Sequence, residues 1–189
     1  MPRAGLSRDA VVARASEMLD DAGSGPLQLQ ALAESLGVRV PSLYKHIEGM
    51  PGLQRGILLR GKAELAAELA RAAVGRSGAD AVTRIAHAYR AWALAHPGRY
   101  ALAMRAPAPD DAEDEAASEA LARVVYDALA GYDLRDDDLV DATRFLRSAM
   151  HGFVALETGG AFALAADRER SWDRLVASVV AALEGWHRH

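Results

Sequence analysis

One segment of the sequence, Leu29–Ile47, constrains the fold more than any other. It is LQALAESLGVRVPSLYKHI, in which apolar residues follow the spacing of two short helices with Gly37 between them. Because glycine adopts a positive φ at no steric cost, Gly37 predicts a tight turn. Ala33 is small enough for two helices to cross closely, and Leu43 is spaced to pack back onto Leu32. This pattern predicts a helix-turn-helix, a unit whose second helix enters the major groove of DNA.

The rest of the sequence has helical periodicity, and no run alternates like a strand, so we predict an all-α protein of about nine helices. Ser7 is a suitable N-cap for the first helix. Val40 precedes a proline and should be extended, which places the start of the second helix of the pair near Pro41. The predicted helices outside the pair cover residues 7–22, 51–74, 80–95, 97–104, 110–131, 136–162 and 167–186.

Composition excludes several classes of function. The chain has no cysteine, no apolar signal core at its start and no run of 18 apolar residues, so we expect a cytoplasmic protein that does not span a membrane. Nearly all basic residues are arginine, which indicates a GC-rich bacterial genome. No P-loop, dinucleotide-binding glycine pattern or nucleophile elbow is present, so we predict no enzyme activity and no cofactor.

Charge also restricts how the chain could bind a partner. The net charge is −4, but residues 1–62 carry +2 and the remainder −6, so a local basic face would have to contact DNA. The acidic runs Asp110–Asp111 and Asp136–Asp138 are interpreted as helix starts and solvated faces rather than a metal site. His187 and His189 are interpreted as a frayed tail. We therefore predict no metal site.

Candidate DNA contacts lie in and around the second helix of the pair. Arg39, Lys45 and His46 carry groups that meet phosphates or base edges, and Tyr44 and Ser42 can hydrogen-bond to a phosphate or a base. Backbone contacts from Arg3 and Arg8 would add to these from the N-terminal side. The alternative is a surface pair of helices whose polar residues only face water.

The pattern LGV–x–x–x–S–LY–x–H at 36–46, with the helix before the motif and the long helix after it, resembles the TetR family of bacterial transcriptional regulators. Residues 1–60 fit that family. The phrase AMHGFVALETGGAF at 149–162 looks like a subgroup with a His-Gly pair in the C-terminal body. The resemblance implies an Ω-shaped homodimer that places the 41–47 helix of each subunit in successive major grooves of a near-palindromic operator.

The sequence departs from the family pattern at three points. Arg39 and Val40 replace the usual Ser or Thr cap, Gln28 replaces a Thr that often binds phosphate, and Met50 replaces a Lys that often starts the fourth helix. The resemblance implies that residues 1–50 form a three-helix DNA-binding domain and that residues 51–189 form a ligand-binding and dimerisation domain. The full predicted DNA-contact set is Arg39, Val40, Pro41, Ser42, Tyr44, Lys45, His46, Gln28, Arg8 and Arg3.

The last two helices carry apolar stripes that predict a four-helix bundle with a second subunit. The alternative is that these stripes pack within one chain. The predicted interface residues are Leu146, Val154, Trp172, Leu175, Val176, Val179, Leu183 and Trp186. An unidentified small-molecule effector is expected between the body helices. Its predicted pocket residues, for which plain core packing is the alternative, are Tyr89, Trp92, Tyr100, Met104, Phe145, Met150, His151 and Phe153.

The combined prediction is a ligand-responsive repressor that binds its operator as a homodimer and is released by the effector. The alternative prediction is a helical small-molecule-binding or protein-interaction module that has lost DNA binding.

Overall fold

The computed structural model describes residues 6–21 and 26–186, and all regular secondary structure in those ranges is helical. This confirms the predicted all-α fold. A 3₁₀ turn at Ala130–Tyr132 follows the seventh helix. The α-helices of the described ranges are α1 Arg8–Asp21, α2 Leu29–Ser35, α3 Val40–Leu43, α4 Gly49–Ala73, α5 Gly78–Ala95, α6 Pro97–Ala103, α7 Ala112–Leu129, α8 Asp136–Thr158 and α9 Arg168–Glu184.

The second helix of the pair is shorter than predicted. α3 has four residues, and the chain continues to His46 as a turn in which the His46 N–H donates to the Leu43 carbonyl at 2.8 Å. The extended residue is Arg39, with φ −91° and ψ 150°, and not Val40 as predicted. Val40 is half-buried and packs against the core beneath it, and this packing outweighs the preference for an extended residue before Pro41.

The eighth helix also ends before its predicted limit of residue 162. Gly160 has φ +70°, and the Ala161 N–H donates to the Leu156 carbonyl at 2.8 Å. This is the hydrogen bond of a Schellman C-cap, in which glycine takes the left-handed conformation that other residues avoid. α8 therefore ends at Thr158. Residues 161–167 form the α8–α9 turn.

Contacts within the chain define two compact units. The first contains 1–63 and 95–117, and the second contains 64–94 and 118–189. The helix-turn-helix thus belongs to the first unit, together with α1, α6 and the first half of α4. The second unit contains α5, α8 and α9 and most of α7. The functional boundary after residue 50 remains a prediction.

The core of the first unit lies under the helix-turn-helix. Val11 and Ala15 of α1, Leu32 of α2, Leu43 of α3 and Ile57 of α4 are all fully buried. At Gly56 of α4, an added Cβ would lie 2.7 Å from the Val12 Cγ2 atom of α1, so the helices cross at a distance that only glycine allows.

One face each of α5, α8 and α9 is buried in the second unit, and so are residues at the end of α4 and at the end of α7 and just after it. The buried residues include Leu65, Leu69, Val82, Ile85, Ala86, Tyr89, Trp92, Leu129, Tyr132, Leu134, Leu146, Met150, Val154, Trp172, Val176, Val179 and Leu183. Among the described helices, none is long and apolar enough to cross a membrane.

Candidate nucleic-acid interface

The turn between α2 and α3 has the geometry that Gly37 predicts. Gly37 has φ +67°, and its N–H donates to the Glu34 carbonyl at 3.0 Å. The Val38 N–H donates to the Ala33 carbonyl at 3.0 Å, which completes a Schellman motif. The turn therefore satisfies the last carbonyls of α2 and reverses the chain directly into α3.

Packing, rather than capping, stabilises α3. Its N-cap residue Arg39 makes no side-chain capping hydrogen bond, which agrees with the poor cap expected from the sequence. Leu43 is fully buried, with Leu36 and Val38 packed against the same core. The position of α3 therefore depends on Leu43 more than on any local hydrogen bond.

The polar residues of α3 and the following turn form what we call the α3 surface, defined by Arg39, Ser42, Tyr44, Lys45 and His46. Arg39 and Lys45 are exposed, and 56% of Tyr44 is accessible to solvent. Ser42 and His46 are half-buried. None of these five side chains forms a hydrogen bond or an ion pair with a residue in the described part of the chain. Their donors remain available to a partner.

The other predicted DNA contacts lie around this surface. Pro41 is exposed, while Val40 is half-buried against the core. Gln28 is exposed at the N-cap of α2 and makes no side-chain capping bond. Arg8 is exposed at the first residue of α1, and Arg3 lies outside the described residues. Their roles as DNA contacts remain predictions.

Asp20 connects α1 to α6 through a group of bonds that the sequence did not reveal. Its carboxylate accepts the Arg99 backbone N–H at 2.9 Å and Arg99 Nε–H at 2.6 Å, and its Oδ2 lies 3.2 Å from His96 Nδ1. At Gly98 an added Cβ would lie 2.4 Å from the Leu19 carbonyl oxygen, so α6 touches the end of α1. The residues around the start of α6, which the sequence predicted only as the end of one helix at 95 and the start of another at 97, therefore hold α6 against α1 within the first unit.

The acidic run before α7 is only partly the solvated helix start that we predicted. Arg55 of α4 donates to Asp111 at 2.6 and 2.7 Å and to Glu113 at 2.8 Å. The hydrogen bonds from Arg55 to Asp111 lower the pKa of Asp111 to about 2. Lys62 and Asp114 form a buried ion pair. Both pairs connect α4 to the start of α7. Asp136–Asp138, by contrast, is exposed.

The predicted pocket residues are distributed over both units. Tyr100 and Met104 belong to the first unit, and the other six belong to the second. Tyr89, Trp92 and Met150 are buried, and Phe145 is 36% exposed with its ring 5.5 Å from Trp186. The Tyr89 hydroxyl lies 3.5 Å from His151 Nδ1, and burial lowers the pKa of His151.

One cavity in the second unit, which we call the turn cavity, has a volume of about 260 Å³. It lies beside the α8–α9 turn, and Phe153 is the one predicted pocket residue that lines it. Its lining residues are Phe153, Ala161, Phe162, Ala163, Leu164, Ala166, Arg168 and Ser171.

An ionic cluster, in which Arg90 and Glu157 are buried and Glu169 is exposed, lies next to Phe153. Arg90 of α5 donates to Glu157 of α8 at 2.7 and 2.8 Å and to Glu169 of α9 at 2.7 Å through two nitrogens. These hydrogen bonds raise the pKa of Arg90 above its usual range. We call Arg90, Glu157 and Glu169 the Arg90 cluster. It connects three helices of the second unit, and Arg90 also lies 5.6 Å from the Trp172 ring centroid.

Most of the predicted dimer-interface residues pack within one chain. Leu146, Val154, Trp172, Val176, Val179 and Leu183 are buried in the second unit, and Leu175 and Trp186 are half-buried. The exposed faces of the same two helices include several small residues among charged ones. The small residues are Ser148, Gly152 and Ala155 on α8, and Ala177, Ser178 and Ala181 on α9.

Comparison with known proteins identifies the class. The model of the tetracyclin repressor-like C-terminal domain matches residues 82–179, about half of the chain. The HTH-type transcriptional regulator Rv0681 of Mycobacterium tuberculosis is 39% identical over 156 residues, which cover 82% of this chain and 72% of that protein. The HTH-type transcriptional regulator YobS of Bacillus subtilis is 34% identical over 163 residues, which cover 85% and 84%.

A solved structure shows the same fold. The TetR family protein ActR of Streptomyces coelicolor, in complex with actinorhodin, aligns with a TM-score of 0.69 at 18% identity and covers 96% of this chain and 97% of that one. The class is thus that of helix-turn-helix transcriptional regulators. The chain belongs to the TetR family, which the motif at 36–46 indicated.

Proposed function

We propose that this protein represses transcription by binding a near-palindromic operator as a homodimer, and that a small-molecule effector releases it. The observation that carries the proposal is the α3 surface, where two cations, a phenol, a hydroxyl and an imidazole lie in and next to α3, around buried Leu43, with no partner in the described part of the chain. Such groups suit phosphate and base-edge contacts in a major groove. A protein acting on the bacterial chromosome would work in the cytoplasm.

Two copies of α3 are needed to bind a palindrome, and the exposed faces of α8 and α9 are suited to pair the copies. An added Cβ at Gly152 would meet nothing within 4 Å in the single chain, so the chain's own packing does not require this glycine. Small side chains at Gly152, Ala155, Ala177 and Ala181 would let helices from a second copy approach closely and form a four-helix bundle. The interface would then lie opposite the buried stripes, not on them.

Ala181→Glu tests this interface, because a carboxylate would be buried there without a partner. We expect sedimentation velocity to show a dimer for the wild type and a monomer for the variant. Ala120→Glu, at an exposed alanine of α7, is the matched control and should remain a dimer. An Ala181→Glu dimer as tight as the wild type would exclude the interface.

The effector part of the proposal is supported by two features of the structure. The turn cavity offers a binding volume in the second unit. In the first unit, the bonds of Asp20 join α1 to α6, and α6 directly follows α5 in the chain. A ligand that binds one conformation of the α5–α6 segment better than another would therefore change the position of α1 and the helix-turn-helix.

A mobility-shift experiment with the DNA upstream of the protein's own gene tests DNA binding. We expect a sequence-specific complex that weakens steeply with salt, because Lys and Arg side chains displace counterions from phosphates. A shuffled DNA of equal length is the control. If both DNAs bind equally weakly, the protein would instead be a helical ligand-binding module without operator recognition.

A further inference from the structure

We propose that the turn cavity binds a small aromatic carboxylate, held by Phe153 and Phe162 through its ring and by Arg168 through its charge. We further assign this ligand as the effector, and that second step rests on the proposed function. The binding step stands on the second unit alone.

The walls of the cavity favour an aromatic ring. Phe153 and Phe162 pack with ring centroids 4.8 Å apart and planes tilted by 56°. Four of the remaining lining residues are alanines or a leucine of the α8–α9 turn, so their side chains are apolar. An aromatic ligand gains both apolar burial and edge-to-face contacts from such walls. The volume of about 260 Å³ lies just below the usual range of ligand pockets, which suits one or two fused rings.

The charge at the cavity favours an anion. Arg168 is exposed and forms no hydrogen bond or ion pair with a described residue. The neighbouring carboxylates accept hydrogen bonds from other groups, because Glu169 accepts from Arg90 and Asp167 accepts the Glu169 N–H at 2.9 Å, and Arg168 interacts with Glu169 only through space. The Arg168 guanidinium therefore remains for a carboxylate, whose geometry it matches with two parallel hydrogen bonds.

The cavity also lies close to the Arg90 cluster. Phe153 lies between the cavity and the Arg90 cluster, with its ring centroid 5.2 Å from Trp172 and 5.9 Å from the Arg90 guanidinium carbon. A ring packed against Phe153 would thus favour one arrangement of α5, α8 and α9. Because α5 leads directly into α6, this contact gives an effector a route to the first unit.

The binding test uses the full chain, isothermal titration calorimetry and two ligands of the same shape, 2-naphthoate and neutral 2-naphthamide. We expect one site per chain, with naphthoate binding about tenfold more tightly because of its charge-assisted contact. Arg168→Gln should remove this preference and leave naphthamide affinity unchanged. Arg170→Gln removes the same charge from an exposed residue that does not line the cavity, and should bind like the wild type.

A second variant tests whether the ligand binds in the turn cavity. Ala163→Trp introduces a large ring at an exposed lining residue, and should block both ligands while the melting temperature stays near the wild-type value. Equal affinity for the two ligands, equal effects of Arg168→Gln and Arg170→Gln, or unchanged binding in Ala163→Trp would each overturn the site. Affinity that rises as the protein is diluted would show that a second copy occupies the cavity, and would overturn it as well.

The effector step has its own readout. Naphthoate should release the wild-type protein from its operator, and should not release Ala163→Trp. If naphthoate binds as predicted but leaves the operator complex intact, the effector assignment is wrong and the binding site stands. If no specific operator complex forms, the proposed function is wrong. The calorimetry would still show whether the turn cavity binds an aromatic carboxylate.

Discussion

The α3 surface and the Arg90 cluster contain similar polar groups in opposite circumstances. Arg39 and Lys45 are exposed and form no ion pair within the described chain. Arg90 is buried and donates four hydrogen bonds to two carboxylates. A buried charge that lacks its partner is costly, whereas an exposed one is not, so Arg90 has a structural role. The exposed groups contribute little to the folded chain, which leaves them available for a partner.

The largest expected effect comes from removing the buried cation, Arg90. Arg90→Ala leaves Glu157 buried without its partner, which should lower the free energy of unfolding by about 3–5 kcal/mol. Urea denaturation measures the loss. Adding Glu157→Gln removes the unpaired charge and should restore part of the stability. If Arg90→Ala costs no more than a surface substitution, the Arg90 cluster is not what holds α5, α8 and α9 together.

The next effect concerns the residue under the α3 surface. Leu43→Ala creates a cavity at a fully buried position, and should lower the free energy of unfolding by about 2–5 kcal/mol. Leu43→Met nearly conserves the volume, and should cost less than about 1.5 kcal/mol. Denaturation curves followed by circular dichroism separate the two. Equal, small losses would mean that α3 is positioned by something other than this packing.

Asp20→Asn should have a smaller effect. The amide keeps the shape but weakens the charge-assisted bonds from Arg99, and we expect a loss of about 1–3 kcal/mol in the free energy of unfolding. Asp21→Asn, at the exposed neighbouring residue, is the control and should change it by less than about 0.5 kcal/mol. A loss no larger than that of the control would show that α1 and α6 are joined mainly by the close approach at Gly98.

The smallest expected effect is a dependence on pH. Arg55 lowers the pKa of Asp111 from 3.8 to about 2, so the stabilisation is complete above pH 4 and is lost as the pH falls through about 2. Asp111→Asn should therefore lose less stability than the wild type when the pH is lowered from 4 to 2. Thermal melts across that interval test this. Parallel curves for the two proteins would contradict the pairing.

Local features of the fold could be predicted from the sequence. Gly37 and the apolar spacing around it determine the turn and the packing of Leu43, because both depend on residues close in the chain. The prediction of an extended backbone at Val40 was wrong, because the packing of Val40 against the core outweighs the preference for an extended residue before Pro41. These differences arise where tertiary contacts compete with local preferences.

The long-range parts of the candidate sites could not be predicted. Arg90 and Glu157 are 67 residues apart, and Asp20 and Arg99 are 79 residues apart, so no sequence spacing indicates either pair. The apolar stripes of α8 and α9 were ambiguous for another reason. The same helical period results from packing inside one chain and from packing between two, and only burial in the fold places Trp172 and Leu183 inside.

The most direct test of the central claim compares operator affinity and stability in the double variant Tyr44→Ala/Lys45→Ala. Both residues lie on the α3 surface, and each contact should contribute about 1–3 kcal/mol in each subunit of the proposed dimer. Fluorescence anisotropy at several salt concentrations should show at least about a hundredfold weaker binding and a shallower dependence on salt, while the melting temperature is unchanged. Wild-type affinity and salt dependence in this variant would contradict the account.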